Sequence, residues 1–527
     1  MKKSRYSILE SIRQKLLQYH QIILLLSILY FISNIFWGLD LTDGFFHINE
    51  ATQVTGYYPF ETVLTSQIIS MIYKVIGKQI IIYRFINSLL FLSSFLLIWN
   101  LIKEKYHSAY LSLLFSAFII ITCPINFNIF GFDSFSIVAI TLTVWFILKS
   151  NLEKKSSLVI LSLLIAASAL IRLPNIMLLC FVPVYFVHLR KENSGTIYGI
   201  IIKTAILGVL TIIIYSTYLF LIFHHWKNAF GSFASQQRHG ISHLLHHYKI
   251  DLVQMFYFLI PFLVLYVINL KQKKYNIIIT SALFITLFTY IYHNIYFVYH
   301  WLYSLMIFAF ISSVVLINLI TSRKLNFKII FLFLTTTIIA IGSNTGFLKV
   351  AFLCPIGLLC ILESSKYVDR KYILYSLLCF MPFSYMVNLN CTFEDYGYSG
   401  LKSSIDIKGL NPIRTTEGRK KMLQEIIANS NQYEKKGYKV IYYGFNSHLF
   451  SFLNPAPRNH YTFDQPMNRT NELRELLTQY SNKKLAFHFT GIPKNDTTST
   501  PTDCEQFLIQ KGFNKDSTSN YCIYYNH

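Results

Sequence analysis

Trp37-Gly38-Leu39-Asp40-Leu41-Thr42-Asp43-Gly44-Phe45-Phe46-His47-Ile48-Asn49-Glu50 decides how the rest of the chain is read. Three carboxylates and a histidine follow directly on an apolar run, 22–37, that is long enough to be most of a membrane span. Acidic side chains are costly near hydrocarbon, so carboxylates gathered at a membrane boundary point to function. An isolated Asp-x-x-Asp in a solvated loop is more often an ordinary helix cap, and the context must separate the two.

That context is apolar. Of 527 residues, 53% are hydrophobic and only 14% charged, and runs of about twenty apolar residues recur, which marks a polytopic membrane protein. A formal charge of +22 would suit a nucleic-acid partner if the basic residues formed a stripe on a soluble surface. They sit instead in short clusters between apolar runs, and no nucleic-acid partner is expected. Eight cysteines include no CxxC pair, and Cys123, Cys180, Cys354, Cys360 and Cys379 lie in or beside apolar runs as small buried hydrophobes. No zinc site is implied. Lys2, Lys3, Arg5, Arg13 and Lys15 precede the first run with no small-residue cleavage signature after it, the pattern of an uncleaved signal anchor.

Thirteen runs are discernible, near 22–37, 80–101, 109–122, 134–149, 157–171, 173–189, 198–223, 252–270, 276–297, 301–320, 329–342, 351–362 and 372–389. Basic residues of short loops collect on the cytoplasmic side. Alternate loops carry Lys103 and Lys105; Lys149, Lys154 and Lys155; Arg190 and Lys191; Lys271, Lys273 and Lys274; Arg323, Lys324 and Lys328; and Lys366, Arg370 and Lys371. All agree with a cytoplasmic N-terminus. The acidic stretch and everything after Leu389 then face outward. Usage of Ile, Lys, Asn and Tyr fits an AT-rich bacterial genome, hence a bacterial inner (plasma) membrane. The pair meeting at Ile171-Arg172-Leu173-Pro174 is the test of the alternation, because one kinked helix there would break it.

The first outward loop carries a short helix expected over 45–55 and, after Gly56-Tyr57-Tyr58-Pro59, an amphipathic one. Phe60, Val63, Leu64, Ile68, Met71, Ile72, Val75 and Ile76 recur at helical spacing and Gly77 is placed to end the helix. Such a stripe either lies in the membrane surface or packs into a core. From Asn390 the composition turns polar. Helices expected over 416–435, 471–480 and 503–511 alternate with strands over 439–444, 484–490 and 521–525, which predicts a small α/β domain with a largely parallel sheet. Thr502 and Glu505 form a capping box. Gly444-Phe445-Asn446 is not a phosphate-binding fingerprint, so docking rather than catalysis is expected of this domain. Cys391, Cys504 and Cys522 lie in it, with a Cys504–Cys522 disulfide left open. The domains are thus 1–389 in the membrane and 390–527 outside.

This order of a span, an outward loop opening on an acidic motif, two surface helices and a second span that begins Tyr83-Arg84-Phe85-Ile86-Asn87-Ser88 resembles the family C (GT-C) glycosyltransferases. The resemblance is to the branch with the protein O-mannosyltransferases and the lipid A aminoarabinose transferase. It covers the layout of nearly the whole chain, while its motif-level part is Asp43-Gly44 with the Tyr-Pro and Arg84 segments behind it. Some members have Asp-Glu where this chain has Asp43-Gly44, which leaves a divalent metal without its second acid. The resemblance implies transfer of a monosaccharide, hexosyl or pentosyl, from a polyprenyl-phosphate donor to an envelope glycan, lipid or protein, with anomeric inversion.

The chemistry asks for the same residues. A carboxylate must take a proton from, or orient, the acceptor nucleophile, and positive charge must hold the departing phosphate. Asp43 fits the first role. Asp133, in Gly131-Phe132-Asp133-Ser134, either positions the acceptor or caps the next helix; Asp40 and Glu50 are further acids of the motif. Arg84 and Arg172 stand at outward span ends, where the positive-inside tendency disfavours them, and either bind the donor phosphate or snorkel to headgroups. Arg238, His239 and His243 belong to a His-rich loop whose i, i+4, i+7 spacing suits a phosphate contact, a divalent metal or interfacial anchoring. Tyr58, His300 and Asn344 are candidate pocket-lining residues. No cofactor is certain. Two rivals stand: an oligosaccharide ligase or polymerase using a pyrophosphate-linked donor, whose arginines and histidine gather in a late outward loop, and a polysaccharide or lipid transporter, which favours internal repeats and charges at mid-membrane depth.

Overall fold

A backbone in hydrocarbon must satisfy its own hydrogen bonds, and helices do so within one segment. The computed structural model describes residues 14–15, 17–40, 43–52, 60–125, 128–193, 196–224, 245–256, 259, 300–322, 325–343, 346–364, 370–392, 395–444, 447–453, 470–490, 503–517 and 521–526. Up to Asn390 its described elements are all helical: α1 (His20–Ser33), α2 (Asp43–Thr52), α3 (Val63–Ile76), α4 (Ile80–Ile102), α5 (Ser108–Thr122), α6 (Phe132–Lys149), α7 (Lys155–Ile171), α8 (Leu178–Asn193), α9 (Ile197–Phe223), α10 (His300–Ser322), α11 (Phe327–Thr336), α12 (Cys354–Ser364) and α13 (Arg370–Asn390).

Among the described residues four helices are long and apolar enough to cross a membrane: α4, α6, α8 with its preceding 3-10 turn, and α9. Six shorter apolar helices accompany them. α9 shows why these are membrane helices. It buries Leu207, Thr211, Tyr215 and Leu219 on one stripe, yet Val209, Ile212, Ile213 and Leu221 on its remaining faces are exposed. An apolar exterior of this kind is the expected lipid-facing surface of a helix long and apolar enough to cross a membrane. The chain is therefore a helical, membrane-associated protein with a small sheet region at its C-terminus. The runs 252–270 and 276–297 lie almost wholly outside the described residues, as does the stretch 1–13 with its basic cluster.

The pair at Ile171–Pro174 is two helices. α7 ends at Ile171, Arg172 is extended (φ −155°, ψ 116°), and a 3-10 turn over Leu173–Met177 leads into α8. Pro174 has no N–H with which to continue the α7 ladder, and the Asn175 side-chain Nδ2 donates to the Ser168 carbonyl, which also accepts the Arg172 amide. A second break faces this one. A 3-10 turn at Ile338–Ala340 runs into Gly342 (φ +71°), where a Cβ would stand 2.8 Å from the Pro174 ring; the positive φ and the close approach both require glycine. α12 beyond it is buried on every side, and Gly357 lets α10 approach through Ile311.

α3 packs with most of its apolar stripe: Val63 is buried, and Leu64, Ile68, Ile72 and Ile76 lie partly buried against the core. Val63, Thr65, Ser66 and Ile69 are buried, and Thr65 Oγ1 donates to the Ile171 carbonyl (2.9 Å), while Met71 and Val75 of the stripe are 67% and 86% exposed. Gly77 ends the helix with φ +67° as its position predicts. α2 starts two residues earlier than expected, at Asp43, and is described to Thr52.

The C-terminal part begins where α13 stops. It holds α14 (Glu417–Lys435), α15 (Ser447–Leu453), α16 (Thr470–Gln479) and α17 (Asp503–Gln510), with strands β1 (Cys391–Thr392), β2 (Asp395–Tyr396), β3 (Ser403–Ser404), β4 (Arg414–Thr415), β5 (Lys439–Gly444), β6 (Leu485–Thr490), β7 (Asn514–Ser517) and β8 (Tyr521–Tyr525). The sheet expected to be largely parallel is mixed. Its order is β5-β6-β8-β7, and only β5–β6 is parallel. The reason is β7, a polar edge strand directly before β8, which turns the chain end into an antiparallel pair instead of one more helical crossover. Cys504 and Cys522 are free thiols, and Thr502 of the expected capping box lies outside the described residues.

Lys105, Lys328 and Glu363 meet at one end of the bundle, with Glu363 Oε1 at 3.6 Å and 2.9 Å from the two ammonium nitrogens. Elsewhere the ends of α1, α4 and α13 gather beneath the C-terminal part.

Candidate functional site

α2 carries the acidic motif, and three sets of contacts hold it. At its start, Asp40 is buried and its Oδ2 accepts the Gly44 amide at 2.7 Å, the way a capping carboxylate satisfies an orphan N–H. One turn in, the His47 ring packs edge-on to Phe132 (centroids 4.6 Å apart) and over Gly131, where a Cβ would stand 2.2 Å from the imidazole. Only glycine at 131 admits His47 there. On the opposite flank Phe45 meets Phe452 of α15 (5.1 Å). Asp43 is the first residue of this helix, one turn before His47. Its side chain, like those of Glu50 and His300, lies outside the described residues.

Next to His47 is a charged cluster built from three chain segments. Asp133 occupies the first turn of α6, where a negative charge suits the helix N-terminus; the N-cap is Gly131, so Asp133 is not the cap. Its Oδ2 receives Lys349 Nζ at 2.7 Å, and its Oδ1 lies 3.9 Å from Arg172 Nε. Arg172 is placed by the α7–α8 break and donates through Nη2 to the Ile341 carbonyl (2.9 Å), across the contact of Gly342 with Pro174. Both cations also flank the Phe132 ring, at 5.8 Å and 5.6 Å. Tyr248 donates to the Ala340 carbonyl and receives the Gly342 amide (2.9 and 2.8 Å), and Asp251 Oδ2 receives the Phe347 amide (2.7 Å). Two cations thus face one carboxylate. Arg172 Nη1 and Asp133 Oδ1 are buried without a hydrogen-bond partner, a costly condition that an incoming polar group relieves.

Arg84 is elsewhere. It is enclosed in α4, and its Nη1 donates to the carbonyls of Ile35 (3.0 Å) and Gly38 (2.9 Å). With Asn34, Trp37, Gly38, Asp40 and Asn128 it lines a crevice of about 20 Å³, room for one water and too little for a sugar. Arg84 therefore ties the segment that follows α1 to α4. The structure brings Asp133 and Arg172 together beside α2, whose first residue is Asp43, while Asp40 and Arg84 line the separate crevice. Tyr58, Arg238, His239, His243 and Asn344 lie outside the described residues.

Sequence reasoning passed over Lys349, Tyr248 and Asp251, and marked His47 only as part of the acidic motif. Lys349 had a signal, since it is a basic residue among apolar ones in a segment expected to face outward, the same anomaly that singled out Arg84 and Arg172. It lies between the expected spans 329–342 and 351–362 and belongs to neither pattern. Among the described residues no three His, Cys, Asp or Glu side chains are grouped to hold a metal ion. No family model matches the chain, and no curated protein is similar to it.

Proposed function

We propose that this chain is a GT-C-like membrane glycosyltransferase that takes a monosaccharide from a polyprenyl-phosphate donor at the outer face of the membrane and passes it to an envelope acceptor. The observation that carries the proposal is the pairing of two cations, Arg172 and Lys349, on a single carboxylate, with one arginine nitrogen buried and unbonded, beside the helix that Asp43 opens. A phosphate diester bears one delocalised negative charge and suits such a pair of donors.

Asp43 takes the proton of the acceptor hydroxyl or amine as its oxygen or nitrogen bonds to the anomeric carbon. The bond from that carbon to the phosphate oxygen breaks with its electron pair, and Arg172 and Lys349 hold the charge of the leaving polyprenyl phosphate. Attack from the face opposite the phosphate inverts the anomeric centre. Asp133 keeps both cations in place between turnovers. The orientation proposed here has thirteen spans with a cytoplasmic N-terminus. It is supported by Lys105, Lys328 and Glu363 meeting at one end, since all three belong to segments assigned to the cytoplasm.

Purified protein incubated with a radiolabelled polyprenyl-phosphate sugar and envelope extract tests the proposal. Label transferred to an acceptor with release of polyprenyl phosphate is expected; label carried across sealed vesicles without transfer refutes it in favour of a transporter. Label transferred only from a pyrophosphate-linked donor refutes it in favour of a ligase.

A further inference from the structure

Leu39 is gripped from both sides by residues that come more than three hundred positions later. Its amide donates to Asp395 Oδ2 (2.9 Å) and its carbonyl receives Arg419 Nη1 (2.7 Å). The same Asp395 oxygen accepts from Thr415 Oγ1 (2.7 Å) and lies 3.6 Å from Arg419, so the two gripping groups fix each other. Around this point the contacts continue. The Gly38 amide donates to the Arg414 carbonyl, the Arg414 guanidinium covers the Trp37 ring, Tyr398 packs on that ring too, and the leucine side chain is buried in a core that also holds Ile405, Leu410 and Ile413. Gly38 (φ +76°) has Thr392 so close that a Cβ would stand 2.5 Å from its hydroxyl. A loop docked only for shape would not need each backbone group of one residue matched by a charged partner, and charge-assisted bonds of this kind are the stronger sort.

We infer that the C-terminal domain is a positioning element of the site, with Asp395 and Arg419 holding Leu39 so that Asp40 sets the first turn of α2 and thereby the place of Asp43. The link is short. Leu39 precedes Asp40, and Asp40 Oδ2 holds the Gly44 amide in the turn that Asp43 begins. The far flank of α2 rests on the same domain through Phe45 and Phe452. Asp395 and Arg419 act through the backbone of Leu39 and touch no reacting atom. The structural part stands by itself; only its kinetic consequence rests on the proposed function.

The test is hydrogen–deuterium exchange on the full-length protein in lipid nanodiscs, comparing the wild type with Asp395→Ala, Arg419→Ala and Arg419→Lys. Peptides covering 37–49 are expected to exchange about ten-fold faster in both alanine variants, with β5 to β8 and α4 unchanged, and Arg419→Lys restores most of the protection. Unchanged exchange over 37–49 in Arg419→Ala overturns the inference. So does a rise spread equally over β5 to β8, because that reports loss of the domain and not of the grip. In the transfer assay the alanine variants are expected to lose about ten-fold in kcat with the donor KM within two-fold. A loosened loop with unchanged kcat overturns the positioning role. A wild type that transfers no sugar refutes the proposed function, while the exchange measurement still decides this one.

Discussion

Lys349 Nζ lies 2.7 Å from Asp133 Oδ2 although 216 residues separate them in the chain. Neither side chain is open to bulk water, at 14% and 19% exposure, so each is the main solvent of the other. Removing one leaves a largely desolvated charge. Lys349→Met is expected to cost roughly 2–3 kcal/mol, below the full penalty of a wholly buried pair because some water reaches both groups. Asp133→Asn is expected to cost more, because it takes the carboxylate from both Arg172 and Lys349. Thermal unfolding of the two variants checks the difference, and both should raise the donor KM at least ten-fold.

Asp43→Asn removes the proposed proton acceptor and keeps its shape. Transfer should fall by about two to four orders of magnitude, the usual contribution of general base catalysis, with membrane insertion and melting temperature unchanged. Near wild-type turnover in a label-transfer assay sinks the assignment.

Gly131→Ala drives a Cβ to 2.2 Å from the His47 ring, which is itself packed on Phe132. The ring must leave, at about 1–3 kcal/mol, and α2 moves with it. Stability should return in Gly131→Ala/His47→Ala, since the ring that clashes is gone. Melting curves of the single and double variants decide this.

The buried His488 of β6 gives the C-terminal domain a pH dependence. Burial lowers its pKa to about 4, against an ordinary 6.5. Between those values the unfolded chain binds the proton and the folded domain does not, so stability is full above about pH 6.5 and is lost as the pH falls toward 4. The loss is on the order of 3 kcal/mol. His488→Gln cannot titrate, and its melting temperature should fall less over the same range; parallel curves for the two proteins refute the assignment.

A reporter fused after Leu389 tests the orientation. A periplasmically active enzyme should be active there, and a cytoplasmically active one silent. The reverse result breaks the alternation of basic loops and the proposed site with it.

Local patterns were readable because local physics decides them. The bounds of β5 and β8 follow from short continuous runs of β-branched and aromatic residues between turn signals, and α14 and α17 appear within a residue of their periodic stretches. The α7–α8 break was written in Arg172-Leu173-Pro174. What remained hidden joins distant segments. Lys349 with Asp133, Leu39 with Asp395 and Leu39 with Arg419 are separated by 216, 356 and 380 residues, and no periodicity reports a partner that far away. β7 escaped because Asn514-Lys515-Asp516-Ser517 has no apolar alternation, and the mixed sheet followed from that omission. Arg84 shows the other limit. An arginine at a span end looks alike whether it meets a ligand or two carbonyls of its own chain.

The hold of Asp395 on the Leu39 amide also has a meaning for biogenesis. A ribosome delivers residue 39 to the translocon long before residue 395 exists, so the opening turn of α2 waits, without its final partners, through synthesis and insertion of every intervening helix. The start of α2 is thus completed last, by the C-terminal part. A nascent chain arrested before that point would hold its apolar helices with the Leu39 backbone still unmatched.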